Sequence, residues 1–292
     1  IAFIGILRGL QKIKLSMCLV FLITMINAVG TYLSVFHLGW GIKGAAWSTV
    51  FSFLVGDCIA FVYVWRFLYA RKVDGSPKFN RSDFRALSSD GLNLAGRTGL
   101  LSLSFFILTA CVTRLGTSVL AAYQVVLQIW LLTSYCMDGL SITATSLGGR
   151  LIGRGERGLH KVLSQRLLIF ALCGGLGFTL FYLVFASWVQ GIFTNSLEVM
   201  MRLNFVWEAL ALSQSFNALT YVFDGILFGF RAFVFLRKRM LEGFCFIFIP
   251  LALWGFLETQ SLLGMILSLV GLNIYRLLTG WWGYRKYTSI FK

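Results

Sequence analysis

The chain is 292 residues long, 58% hydrophobic and only 13% charged, with a mean hydropathy of +0.80. Soluble domains run about 25% charged and about 45–50% apolar, so this composition excludes an ordinary soluble domain and requires lipid as the solvent. The net charge of +15 does not point to nucleic acid, because the basic residues stand in short clusters between apolar runs.

The sequence opens on Ile1 inside an apolar run, with no basic leader or cleavage site before it, and reads as a piece that starts partway through a helix. A stub over 1–7 is expected, followed by Arg8, Lys12 and Lys14. A helix needs about 20 apolar residues to cross a bilayer core of about 30 Å. Eight such spans follow, at 15–36, 45–69, 91–113, 118–146, 163–189, 203–229, 241–257 and 261–283. All are read as helices, because backbone groups in lipid need partners within their own segment and alternating strands are absent.

The loops alternate in charge. Lys43 stands alone, then Arg71, Lys72, Lys78, Arg81 and Arg85 cluster. Arg114 stands alone, then Arg150, Arg154, Arg157 and Lys161 follow. Arg202 is isolated, then Arg231, Arg237, Lys238 and Arg239 come together. The loop at Glu258 has no basic residue, and the tail carries Arg285, Lys286 and Lys292. This alternation fits an even number of spans with the rich side, C-terminus included, facing the cytoplasm. The six cysteines, Cys18, Cys58, Cys111, Cys136, Cys173 and Cys245, form no CxxC pair and are expected to be small buried residues. His37 and His160 are expected near helix ends. No cofactor or metal is therefore expected.

Gly5-Ile6-Leu7-Arg8-Gly9 and Gly225-Ile226-Leu227-Phe228-Gly229 share the pattern GILxG, and each precedes basic residues and two apolar spans. The offset that carries Gly5 to Gly225 also carries position 72, where the second span after the first motif has just ended, to Lys292. The chain therefore reads as the last part of one copy, 1–72, and all of a second, 73–292, with six spans. Copies in the same orientation are a transporter architecture.

Polar residues inside spans are costly in lipid and mark cavities or interhelical bridges. Gln124, Gln128, Tyr135 and Asp138 fall on one stripe of the fourth span, and Ser213, Asn217, Thr220 and Asp224 on one face of the sixth. Tyr221 and Gln214 lie at its margin. Thr24, Asn27, Thr31 and Ser34 share a face of the first span, and Asp57 sits mid-way along the second. Arg97 lies near the cytoplasmic end of the third span, the one well-placed basic residue. Two readings stand: a polar cavity between two bundles, with Asp138 and then Asp57 as the protonating carboxylates, or polar groups that bridge packed helices. Asp224 reads equally as a residue that ends its helix or pairs with Arg231 or Arg97, and as a member of the substrate and proton pathway.

Several stretches resemble the multidrug and toxic compound extrusion family, MATE, in its DinF-like branch. GILRGLQKIK is similar to the basic loop after the family's fourth helix. Asn27 followed by LGWGIKGAAWSTV is similar to the fifth helix and the start of the sixth. The stretch from Arg97 to Glu156 resembles the seventh and eighth helices, and NALTYVFDGILFGFRAFVFLRKRM the tenth helix and its loop. The resemblance implies an all-α integral membrane fold, a V-shaped transporter of twelve helices in two six-helix lobes, of which this chain holds helices five to twelve. It implies a monomer that exports organic, often cationic, compounds in exchange for H⁺ or Na⁺. The family's asparagine of helix five matches Asn27, but the aspartate four residues on is Thr31 here. The acidic positions of the Na⁺ type align with Leu101-Ser102 and Asn217, which favours H⁺. The implied partners are the lipid bilayer and a small organic substrate, with no nucleic acid. The implied membrane is the bacterial inner membrane or a plastid-type envelope.

Three other readings are weighed. A lipid-linked precursor flippase calls for a more basic cavity. A membrane enzyme calls for a DDxxD pair or a buried Ser–His pair, neither present. A non-transporting remnant would follow if the upstream helices were lost from the gene.

Overall fold

A computed structural model describes residues 2–70 and 80–290 and divides the chain into two compact units, Ile1–Asn80 and Arg81–Lys292. The expected boundary at 72/73 and the basic residues Arg71, Lys72, Lys78 and Lys292 lie outside the described residues. Among those described there is no strand.

The first unit holds the stub α1 (Ala2–Gly9), then α2 (Ile13–Tyr32), which runs on through a π-turn at Leu33–His37, then α3 (Gly41–Ala70). Helices α2 and α3 lie against each other. Leu7 and Leu19 meet Ala60 and Val64 in a small apolar core. Small residues allow the close approach: a Cβ on Gly56 would stand 2.3 Å from the Ile23 side chain, and one on Gly30 2.4 Å from Ser48 Oγ.

The second unit holds α4 (Arg81–Leu115), α5 (Thr117–Gly153), α6 (Arg157–Val184), the short α7 (Ala186–Phe193), α8 (Leu197–Gly229), α9 (Phe233–Gly243), α10 (Ile249–Trp254) and α11 (Leu262–Ile290). Helices α9 and α10 form one continuous rod over Phe233–Thr259, interrupted by π-turns at Phe244–Phe248 and Gly255–Thr259. The first π-turn has a cause in the sequence. Pro250 has no N–H, and its ring crowds the carbonyl four residues back, at Phe246; a wider turn there relieves both.

Helix α8 is the hub of this unit, packed by α5, α6 and α11. Among the described residues, seven helical rods are long and apolar enough to span a bilayer by composition; α8, with 33 residues, is not one of them. Its polar residues lower its hydropathy, and its neighbours rather than lipid cover them: Ser213, Gln214, Asn217, Thr220 and Asp224 are all buried. The eight expected spans thus correspond to eight long helical rods, and α8, the one outside the seven, is largely enclosed by its neighbours. One expected span is shortened. The run at 163–189 breaks at Phe185, where φ −101° and ψ 24° end α6 and start α7.

The α5–α8 contact depends on glycine. A Cβ on Gly225 would stand 2.4 Å from Ser141 O, and one on Gly229 3.2 Å from Gly149 N. Thr145 Oγ1 then donates to Gly225 O at 3.0 Å. The GILFG motif is thus a helix-packing surface.

It is also a repeated turn. Leu10 N donates to Ile6 O, Gln11 N to Arg8 O and Lys12 N to Leu7 O; Phe230 N donates to Ile226 O, Arg231 N to Phe228 O and Ala232 N to Leu227 O. Each bond recurs at the offset that separates the two GILxG motifs. Gln11 and Arg231 both take the left-handed conformation, with φ of 60° and 56°. Gly44 and Gly264, related by the same offset, are each pressed against the end of the preceding helix.

The cysteines correct an expectation. All six are free thiols, and only Cys111 is even half-buried; the other five lie on exposed faces. A small, weakly polar side chain needs no burial within protein when the surrounding solvent is lipid.

Candidate functional site

The polar stripe of α5 lies on an exposed face. Gln124, Tyr135 and Asp138 are exposed and so is Gln128, while Ala122, Val125, Val126, Ile129 and Trp130 on the opposite side pack into the core. Helical periodicity separates the two sets: an apolar side turned into the unit and a polar line of two amides, a phenol and a carboxylate turned away. Asp138 sits near the middle of the Thr117–Gly153 rod, several turns from either end.

The polar row of α8 behaves differently. Asn217 is fully buried; its Nδ2 donates to Ser134 Oγ of α5 at 3.1 Å, and its Oδ1 accepts from Asn273 Nδ2 of α11 at 3.4 Å. Thr220 Oγ1 donates to Phe216 O at 2.8 Å and lies 3.4 Å from Asn273 O. These groups bridge α5, α8 and α11, so bridging rather than cavity lining describes Asn217. Asn217→Ala leaves the Asn273 amide without that acceptor and is expected to cost about 1–3 kcal/mol. Unfolding of the purified protein in detergent checks this; an unchanged midpoint would contradict it.

Farther along α8 lies a buried ion cluster. Asp224 Oδ2 accepts from Arg97 Nη2 of α4 and, at 2.6 Å, from Arg276 Nη2 of α11. The three side chains are only 8%, 11% and 10% exposed, in the order Asp224, Arg97, Arg276. One carboxylate therefore ties three helices and serves two guanidinium groups, a cluster of net charge +1. Arg97 also lies 5.1 Å over the ring of Phe228, one turn along α8, which shields its open side. Tyr221 stands half-buried one turn before Asp224 on the same face.

Of the two partners expected for Asp224, Arg97 is found and Arg231 is not. The left-handed turn at Arg231 swings its side chain outward, where Nε and Nη2 reach Asp90 Oδ2 at 3.0 and 2.5 Å. Arg276 corrects the reading of Arg97 as the one well-placed basic residue. It stood inside a predicted span, where any charge is a signal, but its partner lies far off in the sequence, on another helix.

In the first unit, Asn27 Nδ2 donates to Thr49 Oγ1 of α3 at 2.9 Å, and Ser48 Oγ donates to Asn27 O at 3.1 Å. Thr31, one turn on, is half-buried, as is Asp57 in the middle of α3. The same unit carries a groove of about 800 Å³ whose lining of Met25, Trp40, Trp47 and Phe51 is interrupted by the hydroxyls of Ser34 and Ser48. Among the described residues, no group of three or more His, Cys, Asp or Glu side chains is arranged to hold a metal.

The profile of the MatE family matches residues 95–254, more than half of the chain. The chain belongs to the MatE family. The matched stretch contains Arg97, the whole α5 stripe and Asp224; Arg276, Asn27, Thr31 and Asp57 lie outside it. Among curated proteins, the chain is 32% identical over 238 residues to Protein DETOXIFICATION 44, chloroplastic, of Arabidopsis thaliana, covering 81% of this chain and 44% of that protein. It is 23% identical to the DNA damage-inducible protein F of Escherichia coli strain K12, over 93% of this chain and 60% of that protein. The chain spans about half the length of the curated relatives it matches. Solved structures agree on the fold. A crystal structure of a MATE protein in the straight conformation superposes with a TM-score of 0.85 at 19% identity, covering 99% of this chain and 66% of that one. A structure described as the outward-facing conformation of a multidrug resistance MATE family transporter superposes with a TM-score of 0.82 at 18% identity, covering 99% and 66%. The chain is thus an all-helical, multi-pass membrane protein of a transporter family.

Proposed function

We propose that this chain works as part of a secondary efflux transporter that exports small organic compounds, cationic ones among them, in exchange for H⁺. The observation that carries the reading is Asp138, a carboxylate mid-way along a membrane helix on an exposed polar stripe with Gln124, Gln128 and Tyr135. A lipid-facing carboxylate there would be expensive, so the stripe is best explained as the wall of a water-accessible pathway. Family membership and the multidrug and detoxification names of its relatives support the efflux class.

In this mechanism Asp138 binds a proton in one access state and releases it in the other. The charge change alters the relative energy of the two states, and substrate binds one of them better. Asp57 is the second candidate. The lack of an acid at Leu101-Ser102, together with the use of Asn217 as a helix bridge, favours H⁺ over Na⁺. Residues 1–72 would be the end of one six-helix lobe and 73–292 the whole of the next, in a monomer whose C-terminus lies on the cytoplasmic or stromal side. The membrane would be a bacterial inner membrane or a plastid-type envelope. A lipid-linked precursor flippase is less favoured, because Arg97 and Arg276 are both buried and committed to Asp224.

The test uses protein expressed from the complete gene and reconstituted in proteoliposomes. Asp138→Asn should abolish export of a fluorescent organic cation driven by a pH gradient, with the melting midpoint unchanged. Undiminished export would refute the role of Asp138, and export driven by an Na⁺ gradient alone would refute H⁺ coupling.

A further inference from the structure

A second cavity, of about 730 Å³, opens between the start of α6 and the end of α11, away from the polar stripe. Its volume lies within the range of about 300–1,000 Å³ of small-molecule sites. Three cations line it: Arg157 and Lys161, one turn apart on α6, and Arg285 on α11. Among the described residues, no aspartate or glutamate lines it. The nearby Glu156 faces Arg154, at 3.8 Å.

Lys161 and Arg285 bring like charge to one cavity, and an anion at its centre would offset their repulsion. The rest of the lining combines the polar Gln165, Thr288 and Ser289 with an apolar and aromatic wall that includes Ile152 and Phe230. His160 is buried with its ring edge-on to Phe230 at 4.7 Å, and Tyr284 adds a further ring. Arg285 is held by stacking 4.2 Å from the Trp281 ring, which fixes its guanidinium plane.

We propose that this cavity binds the phosphate head group of an anionic membrane lipid. Guanidinium and ammonium groups take the phosphodiester, and the Phe230–Tyr284 wall takes the adjoining glycerol and acyl carbons. The basic-rich helix ends lie where anionic lipids concentrate, and basic pockets between membrane helices on that side suit such head groups. A soluble phosphate compound shares the chemistry but has no use for the apolar wall.

Native mass spectrometry of the detergent-solubilised protein tests this with phosphatidylglycerol and phosphatidylcholine of matched acyl chains. Wild-type protein should retain phosphatidylglycerol preferentially, and the double variant Lys161→Gln/Arg285→Gln should retain about tenfold less. Lys161 and Arg285 are exposed side chains, so the variant should fold; its melting midpoint checks this. Lys286→Gln, which removes a neighbouring cation stacked on Trp282 but outside the cavity, should leave retention unchanged. Equal retention by the double variant, or an equal loss in Lys286→Gln, would overturn the proposal in favour of diffuse surface charge. Displacement of the lipid by inorganic phosphate or glycerol phosphate at comparable concentration would overturn the lipid as the occupant.

Discussion

Gly225→Val is expected to lower stability by at least about 3 kcal/mol, seen as a large fall in the melting midpoint and a loss of monodisperse protein in detergent. The contact leaves no room for accommodation. A Cβ at this position meets Ser141 O at 2.4 Å and Ser141 Cα at 2.8 Å, both backbone atoms of α5. A flexible side chain could rotate away, but a helix backbone must move as a whole. Such a movement would also disturb the Thr145 Oγ1 bond to Gly225 O and the Gly229–Gly149 contact one turn later. Gly177→Ala on α6 is the control. No atom beyond its own helix lies within 4 Å of the added carbon, so the change should be neutral or stabilising by up to about 1 kcal/mol. Equal midpoints for Gly225→Val and wild type would mean that α5 and α8 do not meet as described.

How much of this was legible in the sequence depends on what each feature answers to. The spans answer to lipid, and apolar runs of bilayer length gave them away. Their ends were less visible where helices continue beyond the apolar run. Helix α4 starts at Arg81 rather than 91, and α11 runs to Ile290 rather than 283, through charged turns that hydropathy ignores. One such extension carries Asp90, the partner of Arg231. The stripe of α5 was legible because periodicity alone puts Gln124, Gln128, Tyr135 and Asp138 on one face. Whether such a face is turned inward or outward is a tertiary fact. The similar row on α8 turned out to be interior, with Asn217 held between Ser134 and Asn273. Arg276 went unread for a related reason. A charge inside a span announces that it has a partner, but only packing shows that Asp224 already serves Arg97 and accepts a second guanidinium.

Asp224→Ala is expected to be the costliest single polar deletion, about 3–5 kcal/mol, because it leaves two buried guanidinium groups facing each other without a counter-charge. The order of effects within the cluster follows from its charge. Removing Arg97 or Arg276 alone leaves a neutral pair with the remaining arginine, so Arg97→Met or Arg276→Met should cost less than half as much. The triple variant with Ala at 224 and Met at 97 and 276 should be more stable than Asp224→Ala, since it removes the stranded charges together. Chemical unfolding in detergent micelles gives the ranking. If Asp224→Ala proved milder than either arginine variant, the carboxylate would not be the centre of the cluster. The same series separates Asp224 from Asp138. A clamp that ties α4, α8 and α11 through one oxygen should lose export only as fast as it loses folded protein. Asp138, exposed and outside that clamp, should lose export with folding intact. Asp224→Ala protein that stayed fully folded yet failed to export would move the coupling role proposed for Asp138 to the cluster.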